Sequence, residues 1–182
     1  MPEGNIVRTD GERIYLRRLE PADVSDAYLR WMNDPEITRF LESRFTSYSH
    51  RDLTGYVLAM QQSDANLLCG IFLQDGDRHV GNIKLGNIHP VHRYADVGLI
   101  IGEKREWGKG YGTEALVLAT RYAFDVIGLN SLYAGINIEN VSSERAFLKA
   151  GFRRAGILAE HRYFEGRFVD EIIVERCRQS PP

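Results

Sequence analysis

The chain has little cysteine. Cys69 and Cys177 are the only two in 182 residues and stand far apart, which gives neither a disulfide framework nor a zinc spacing. It has no excess of positive charge. Twenty-three Lys plus Arg face 25 Asp plus Glu, for a net charge of −2, so the basic footprint of a general nucleic-acid binder is missing. No run nears the ~18 apolar residues of a membrane span. The first thirteen residues hold no apolar stretch of the signal-peptide kind. Six prolines and 17 glycines are too few for a linker-rich chain, and no repeat or low-complexity stretch is visible. With 43% hydrophobic residues the chain can bury a real core. These features predict a cytoplasmic, globular protein of one domain over residues 1–182, with a core of about 12–177 and a loose tail at 178–182.

Local patterns set out the elements. Ile14, Leu16 and Leu19 mark a short strand. Pro21 opens a helix expected to run through about Met32, with Ala22, Asp23 and Asp26 in its first half. Asn33, Asp34 and Pro35 break it. Ser49 with Asp52 three residues on reads as a capping box for a helix to about Gln62. Three strand signals follow at Leu67–Gln74, Val80–Ile88 and Ala95–Ile101, joined by turns, which reads as an antiparallel meander. Leu116, Ala119, Ala123 and Ile127 recur at helical spacing from Gly110 on, and Gly128 is a stop. A strand at Ser131–Asn137, a helix at Val141–Ala150 and strands at Phe152–Leu158 and Phe168–Val174 complete the order. The last two flank an exposed-looking segment, residues 160–167. The step from Ala95–Ile101 through a helix to Ser131–Asn137 makes those strands parallel and neighbours. The fold class is α/β: one mixed, mostly antiparallel sheet flanked by about four helices.

The most informative stretch runs from Ile101 to Ala115. A strand ends, a basic glycine loop follows, and a helix begins. Gly108, Gly110 and Gly112 allow backbone conformations that other residues avoid, and the first helical turn has unpaired N–H donors. Lys104, Arg105 and Lys109 add positive charge. The loop is therefore a candidate anion cradle, against the plainer reading of a strand-to-helix turn. A Walker A loop, G-x-x-x-x-G-K-S/T, fails here. With Gly108-Lys109 as its G-K pair, Glu103 stands at the first glycine and Gly110 at the hydroxyl residue. A dinucleotide fingerprint starting at Gly108 would need glycine at Thr113.

Arg105, Gly108 and Gly110 match the Gln/Arg-x-x-Gly-x-Gly/Ala signature of the GNAT acetyltransferase superfamily, which the inferred strand order also resembles. A second block, from Asn137 through Asn140, Ser143 and Lys149 to Gly151 and Phe152, is similar to the ending of that family. With the stretch from Trp31 to Glu36, it resembles the branch that includes the ribosomal-protein N-terminal acetyltransferases.

The resemblance implies acetyl-CoA as acyl donor. Its pyrophosphate would meet the loop Arg105, Trp107, Gly108, Lys109, Gly110, Tyr111, Gly112 and Thr113. Its pantetheine arm would lie where the central sheet splays between its two parallel strands, along Leu99, Ile100 and Ile101. A backbone N–H near Leu99 or Ile100 would polarise the thioester carbonyl. Gly98 would clear the path, unless it marks a β-bulge. Asn140, also a candidate N-cap, would bond the arm; Lys149 would belong to the cofactor site; Ser143 would donate a proton to sulfur, unless it is only a polar residue of the helix start. Many relatives carry tyrosine where Phe147 stands here. A primary amine must lose a proton before attack; candidate bases are Asp96 first, then Glu139, His92 and His161. Trp31, Asn33, Glu36, Arg39 and Phe40 would lie on the acceptor side, with Trp31 and Phe40 equally readable as helix core. His89 and His92 lack a third ligand, so no metal is expected. The partner is a small-molecule or peptide amine, with neither nucleic acid nor membrane. The competing reading is an acyl-CoA-binding module without chemistry. The exposed final strands would let the chain act as a monomer or a homodimer.

Overall fold

The computed structural model describes residues 8–178; the proposed tail beyond 178 lies outside them. Eight strands form one sheet: β1 (Thr9–Asp10), β2 (Ile14–Arg18), β3 (Leu67–Leu73), β4 (His79–Gly86), β5 (Tyr94–Ile101), β6 (Ser131–Asn137), β7 (Arg153–Phe164) and β8 (Arg167–Cys177). Their order is β1-β2-β3-β4-β5-β6-β8-β7. All pairs are antiparallel except β5 with β6. The helices are α1 (Asp26–Asn33), α2 (Pro35–Thr38), α3 (His50–Gln62), α4 (Tyr111–Tyr122) and α5 (Val141–Lys149).

Strand alternation sorts side chains onto two faces. Leu67, Cys69 and Ile71 pack with Ile83, Leu85, Val97, Leu132 and Val174 against α4 and α5. Tyr15, Leu68 and Phe72 pack with Tyr28, Trp31, Leu53 and Val57 of α1 and α3 on the other face. Each fully buried aliphatic side chain contributes about 1.5–3 kcal/mol. Because both faces of β3 are covered, all seven of its residues are buried, and it reads as a continuous apolar run. The second face is not clad by a helix core over β5, β6 and β8. Asp96, Gly98 and Ile100 of β5 lie on that face beside Tyr133, Gly135 and Asn137 of β6.

Three expectations need correction. The helix from Pro21 to Met32 is split. Pro21–Asp23 forms a 3-10 turn, and Ser25 then caps a new helix by accepting from the Tyr28 amide. The helix from Gly110 to Ile127 is α-helical only to Tyr122 and ends in a π-turn over Ala123–Ile127. The segment around residues 160–167 is a hairpin turn within two long strands. Glu165 and Gly166 both have positive φ, 47° and 86°, as a two-residue type I′ turn requires.

Candidate active site

β5 and β6 are paired only at Tyr94↔Ser131, Ala95↔Leu132 and Asp96↔Tyr133. Both strands run on, to Ile101 and Asn137, so they part beyond Asp96 and leave a gap. The Gly102 amide donates to Val80 O of the β4 side. By alternation, the even-numbered amides of β5 face β4 and the odd-numbered ones face the gap. The Leu99 N–H therefore points into the opening and that of Ile100 does not. Gly98 is exposed, and a Cβ there would meet nothing within 4 Å. The β4–β5 register shows no bulge at this position.

The glycine loop follows. Lys104–Glu106 makes a 3-10 turn, and the Trp107 amide donates to Lys104 O. From Gly108 to Thr113, six successive amides make no hydrogen bond to any described residue. Gly108 and Gly110 have φ of 76° and 87°, left-handed values that glycine adopts without strain. Gly110 is the N-cap of α4 and lends it no side-chain cap. Open donors, positive φ and a helix N-terminus together fit an anionic guest such as a diphosphate.

Braces around this loop were not legible in the sequence. Glu106 is only 5% exposed. It accepts from Arg78 Nη2 at 2.7 Å and Lys109 Nζ at 2.8 Å. The hydrogen bond from Lys109, then that from Arg78, holds its carboxyl below the usual range. Arg13 donates to Lys109 O at 2.7 Å and pairs with Glu114 of α4. Two of the three basic residues of the loop are thus spoken for: Lys109 by Glu106, and Lys104 by Asp34 at 2.8 Å and Glu36 at 2.6 Å. Among the described residues Arg105 makes no ion pair. Trp107 donates its indole N–H to Ile101 O at 2.7 Å, so that carbonyl is already taken. Tyr111 packs on the core, with the Arg13 guanidinium 5.1 Å from its ring centroid. A Cβ at Gly112 would touch Leu99 and Ile101.

Across the gap, Asn140 caps α5, its Oδ1 accepting from the Ser143 amide at 3.2 Å. That leaves its amide nitrogen with no hydrogen bond to a described residue. Ser143 is half-buried and Lys149 is exposed. Phe147 is 2% exposed and packs edge-on against Phe152, 5.0 Å between centroids. It faces the core.

Asp96 stands where the gap begins and accepts from Asn87 Nδ2 at 2.6 Å. Tyr133 and Tyr56 lie close enough to feel its charge. Burial first, then Asp96 and Tyr94, raises the Tyr133 phenol. Burial, then Tyr48 and Asp96, raises that of Tyr56. Both phenols therefore stay protonated near neutral pH.

The acceptor-side residues fall into different places. Trp31 is 5% exposed and lies over Gly102, where no Cβ could fit; it belongs to the core, because α1 buries it against the sheet. Asn33 clamps the chain by donating to Leu29 O and Tyr48 O and accepting from the Tyr48 amide. Glu36 is bound to Lys104. Arg39 pairs with Glu165, and Phe40 stacks on Phe164. His92 lies parallel to Tyr94 and tilted against His89 on the closed side of the gap, because it precedes β5. Glu139 pairs with Arg167. His161 Nε2 is 3.4 Å from Glu171 at the open side. Among the described residues no cluster of three or more His, Cys, Asp or Glu could hold a metal ion, and no helix is long and apolar enough to cross a membrane.

The sheet with its single splayed parallel pair, closed by a glycine loop, is the architecture of a group-transfer enzyme fold, and its family says which. Residues 13–153 match the family described as the acetyltransferase (GNAT) domain. The chain belongs to that family and is an N-acetyltransferase. It is 27% identical over 161 residues to a Bacillus licheniformis protein named uncharacterized N-acetyltransferase p20, covering 87% of this chain and 89% of that one. It is 34% identical over 98 residues to the spermidine N(1)-acetyltransferase of Escherichia coli strain K12, covering 54% of this chain and 52% of the other. Its fold is similar to the crystal structure of spermidine N-acetyltransferase from Vibrio cholerae in complex with CoA and spermine. There the TM-score is 0.81 and the identity 22%, over 90% of this chain and 95% of that one.

Proposed function

We propose that this N-acetyltransferase takes acetyl-CoA as donor and passes the acetyl group to a primary amine by direct attack, both substrates being bound together. The observation that carries the reading is the row of six open amides from Gly108 to Thr113 beside the β5–β6 gap. When bound, acetyl-CoA supplies a thioester-activated acetyl group and a thiolate as leaving group.

The protein's own groups divide the work. The amides of Gly108 to Thr113 hold the diphosphate, and Arg105 adds charge from the exposed side. Lys109 contributes through its backbone, since Glu106 occupies its ammonium. The Leu99 N–H is aimed at the place where negative charge develops; losing one such donor costs about 2.7–4 kcal/mol in a comparable site. Ile100 lends its side chain to the acceptor face and Ile101 its side chain to the core below Gly112. The free amide nitrogen of Asn140 bonds the pantetheine arm, with Lys149 near its outer end, and Ser143 offers a hydroxyl proton. Asp96 receives the proton of the amine, with Tyr56 and Tyr133 as protonated donors beside it.

The test is release of free thiol over a panel of amines: a peptide N-terminus, an amino acid, spermidine and a nucleotide-linked amino sugar. Saturable release with at least one of them is expected. Tight CoA binding without release for any amine would contradict the reading.

A further inference from the structure

The chain between α1 and α3 is fastened at both sides of the gap. On the β5 side, Lys104 holds Asp34 and Glu36. On the far side, Arg162 Nη1 donates to Glu42 Oε1 at 2.6 Å, Arg44 Nη2 donates to Tyr163 O at 3.0 Å, and Arg39 pairs with Glu165. Phe40 stacks on Phe164 at 5.2 Å. Lys104 follows β5, whereas Arg162 to Glu165 belong to the β7–β8 hairpin, beyond β6 in the sheet. Residues 34–45 thus arch over the open end of the splay.

Most of these fastenings are exposed, and exposed ion pairs contribute only about 0–1 kcal/mol each. Arg162 differs. Its guanidinium also binds Glu171, which is 3% exposed and lies on β8 between β6 and β7. Glu171 fits because Gly135, on the adjacent strand, has no side chain; a Cβ there would collide with its carboxylate. A carboxylate buried this deeply needs a bonded cation, so Arg162 is held in place from inside. Its outward nitrogen then meets Glu42, whose side chain is 67% exposed. A fixed post thus faces an easily released hook.

Resting on the acetyl-transfer reading, we propose that Arg162, oriented by Glu171, is a positioning residue that latches Glu42 over the mouth of the gap and thereby sets the affinity for the acceptor amine. CoA affinity should change little with it, since Glu42 does not touch the glycine loop, which is braced by Arg13 and Glu106 and tied to the arch through Lys104 at its other end.

The variant Glu42→Gln removes the charge from the hook, leaving at most a neutral hydrogen bond there, and leaves the buried pair intact. Two readouts are taken: hydrogen exchange of residues 36–45, and steady-state kinetics with whichever amine of the panel above turns over fastest. Exchange at least fivefold faster is expected, with acceptor KM raised at least threefold and with kcat and CoA Kd within twofold. Arg162→Lys should fall between wild type and Arg162→Ala in both readouts. Unchanged exchange and unchanged KM in Glu42→Gln would overturn the latch. A parallel loss of CoA affinity would overturn it too, by reducing the pair to general stability. If the wild type turns over no amine, the acetyl-transfer reading fails and the effect on acceptor affinity fails with it, while the exchange rates still decide whether the latch exists.

Discussion

Arg13 reaches Lys109 across 96 positions of sequence and donates to its carbonyl at 2.7 Å. The C=O and N–H of one planar trans peptide point in opposite directions. Pinning Lys109 O therefore turns the Gly110 N–H outward, away from Arg13. The guanidinium fixes which way these loop amides face.

Replacing Arg13 by Ala should weaken CoA binding by about three- to tenfold, somewhat less than the full value of a charged hydrogen bond, because the side chain is half exposed. Calorimetric titration with CoA measures it. An unchanged Kd in a folded variant would mean that the loop keeps its orientation unaided.

Glu106 makes cradle stability depend on pH. Its carboxyl is depressed below the ordinary value by Lys109 and Arg78. A group depressed on folding stabilises the protein above its unfolded pKa, about 4.3, and that contribution disappears as pH falls through the folded value. Glu106→Gln should therefore lower the melting temperature at pH 7 by about 2–8 °C, the equivalent of about 1–2 kcal/mol at this chain length. The difference should shrink below pH 4. Melting curves of both proteins at several pH values test this. A gap that stays constant or widens in acid would contradict it.

The two thiols should behave unequally. Cys69 lies inside the core, and burial pushes its thiol up to about 12. Cys177 is exposed. A chromogenic disulfide should titrate one thiol per native chain quickly and the second only after unfolding. Two fast thiols would place Cys69 at the surface. The Cys177→Ser variant should show none, which also clears the background of the thiol-release assay.

Local signals were readable in the sequence and distant ones were not. The α3 capping box of Ser49 and Asp52, the meander of β3 to β5 and the stop at Gly128 all depend on residues within a few positions of one another. The glycine loop leading into α4 was legible for the same reason. The start of α1 at Ser25 was missed, although a serine before Asp26 is a usable N-cap signal; the acids after Pro21 suggested one longer helix. The turn at Glu165-Gly166 was hidden because Glu-Gly lacks the strong Asn-Gly form. Arg13 with Lys109, Arg78 with Glu106, Lys104 with Glu36 and Arg162 with Glu42 join residues 28 to 120 positions apart. Neither spacing nor periodicity encodes such pairs. They decide which loop charges remain available: among the described residues the expected basic patch reduces to Arg105, which makes no ion pair, and a row of amides.

The most direct check of the cradle is an amide-resolved NMR titration with CoA, set beside pantetheine, which lacks the diphosphate. The account predicts that the backbone N–H signals of Gly108 to Thr113 move strongly with CoA and stay nearly still with pantetheine, while Leu99 responds to both. If the six loop signals keep their positions at saturating CoA, the diphosphate binds elsewhere and the assignment of this loop is wrong.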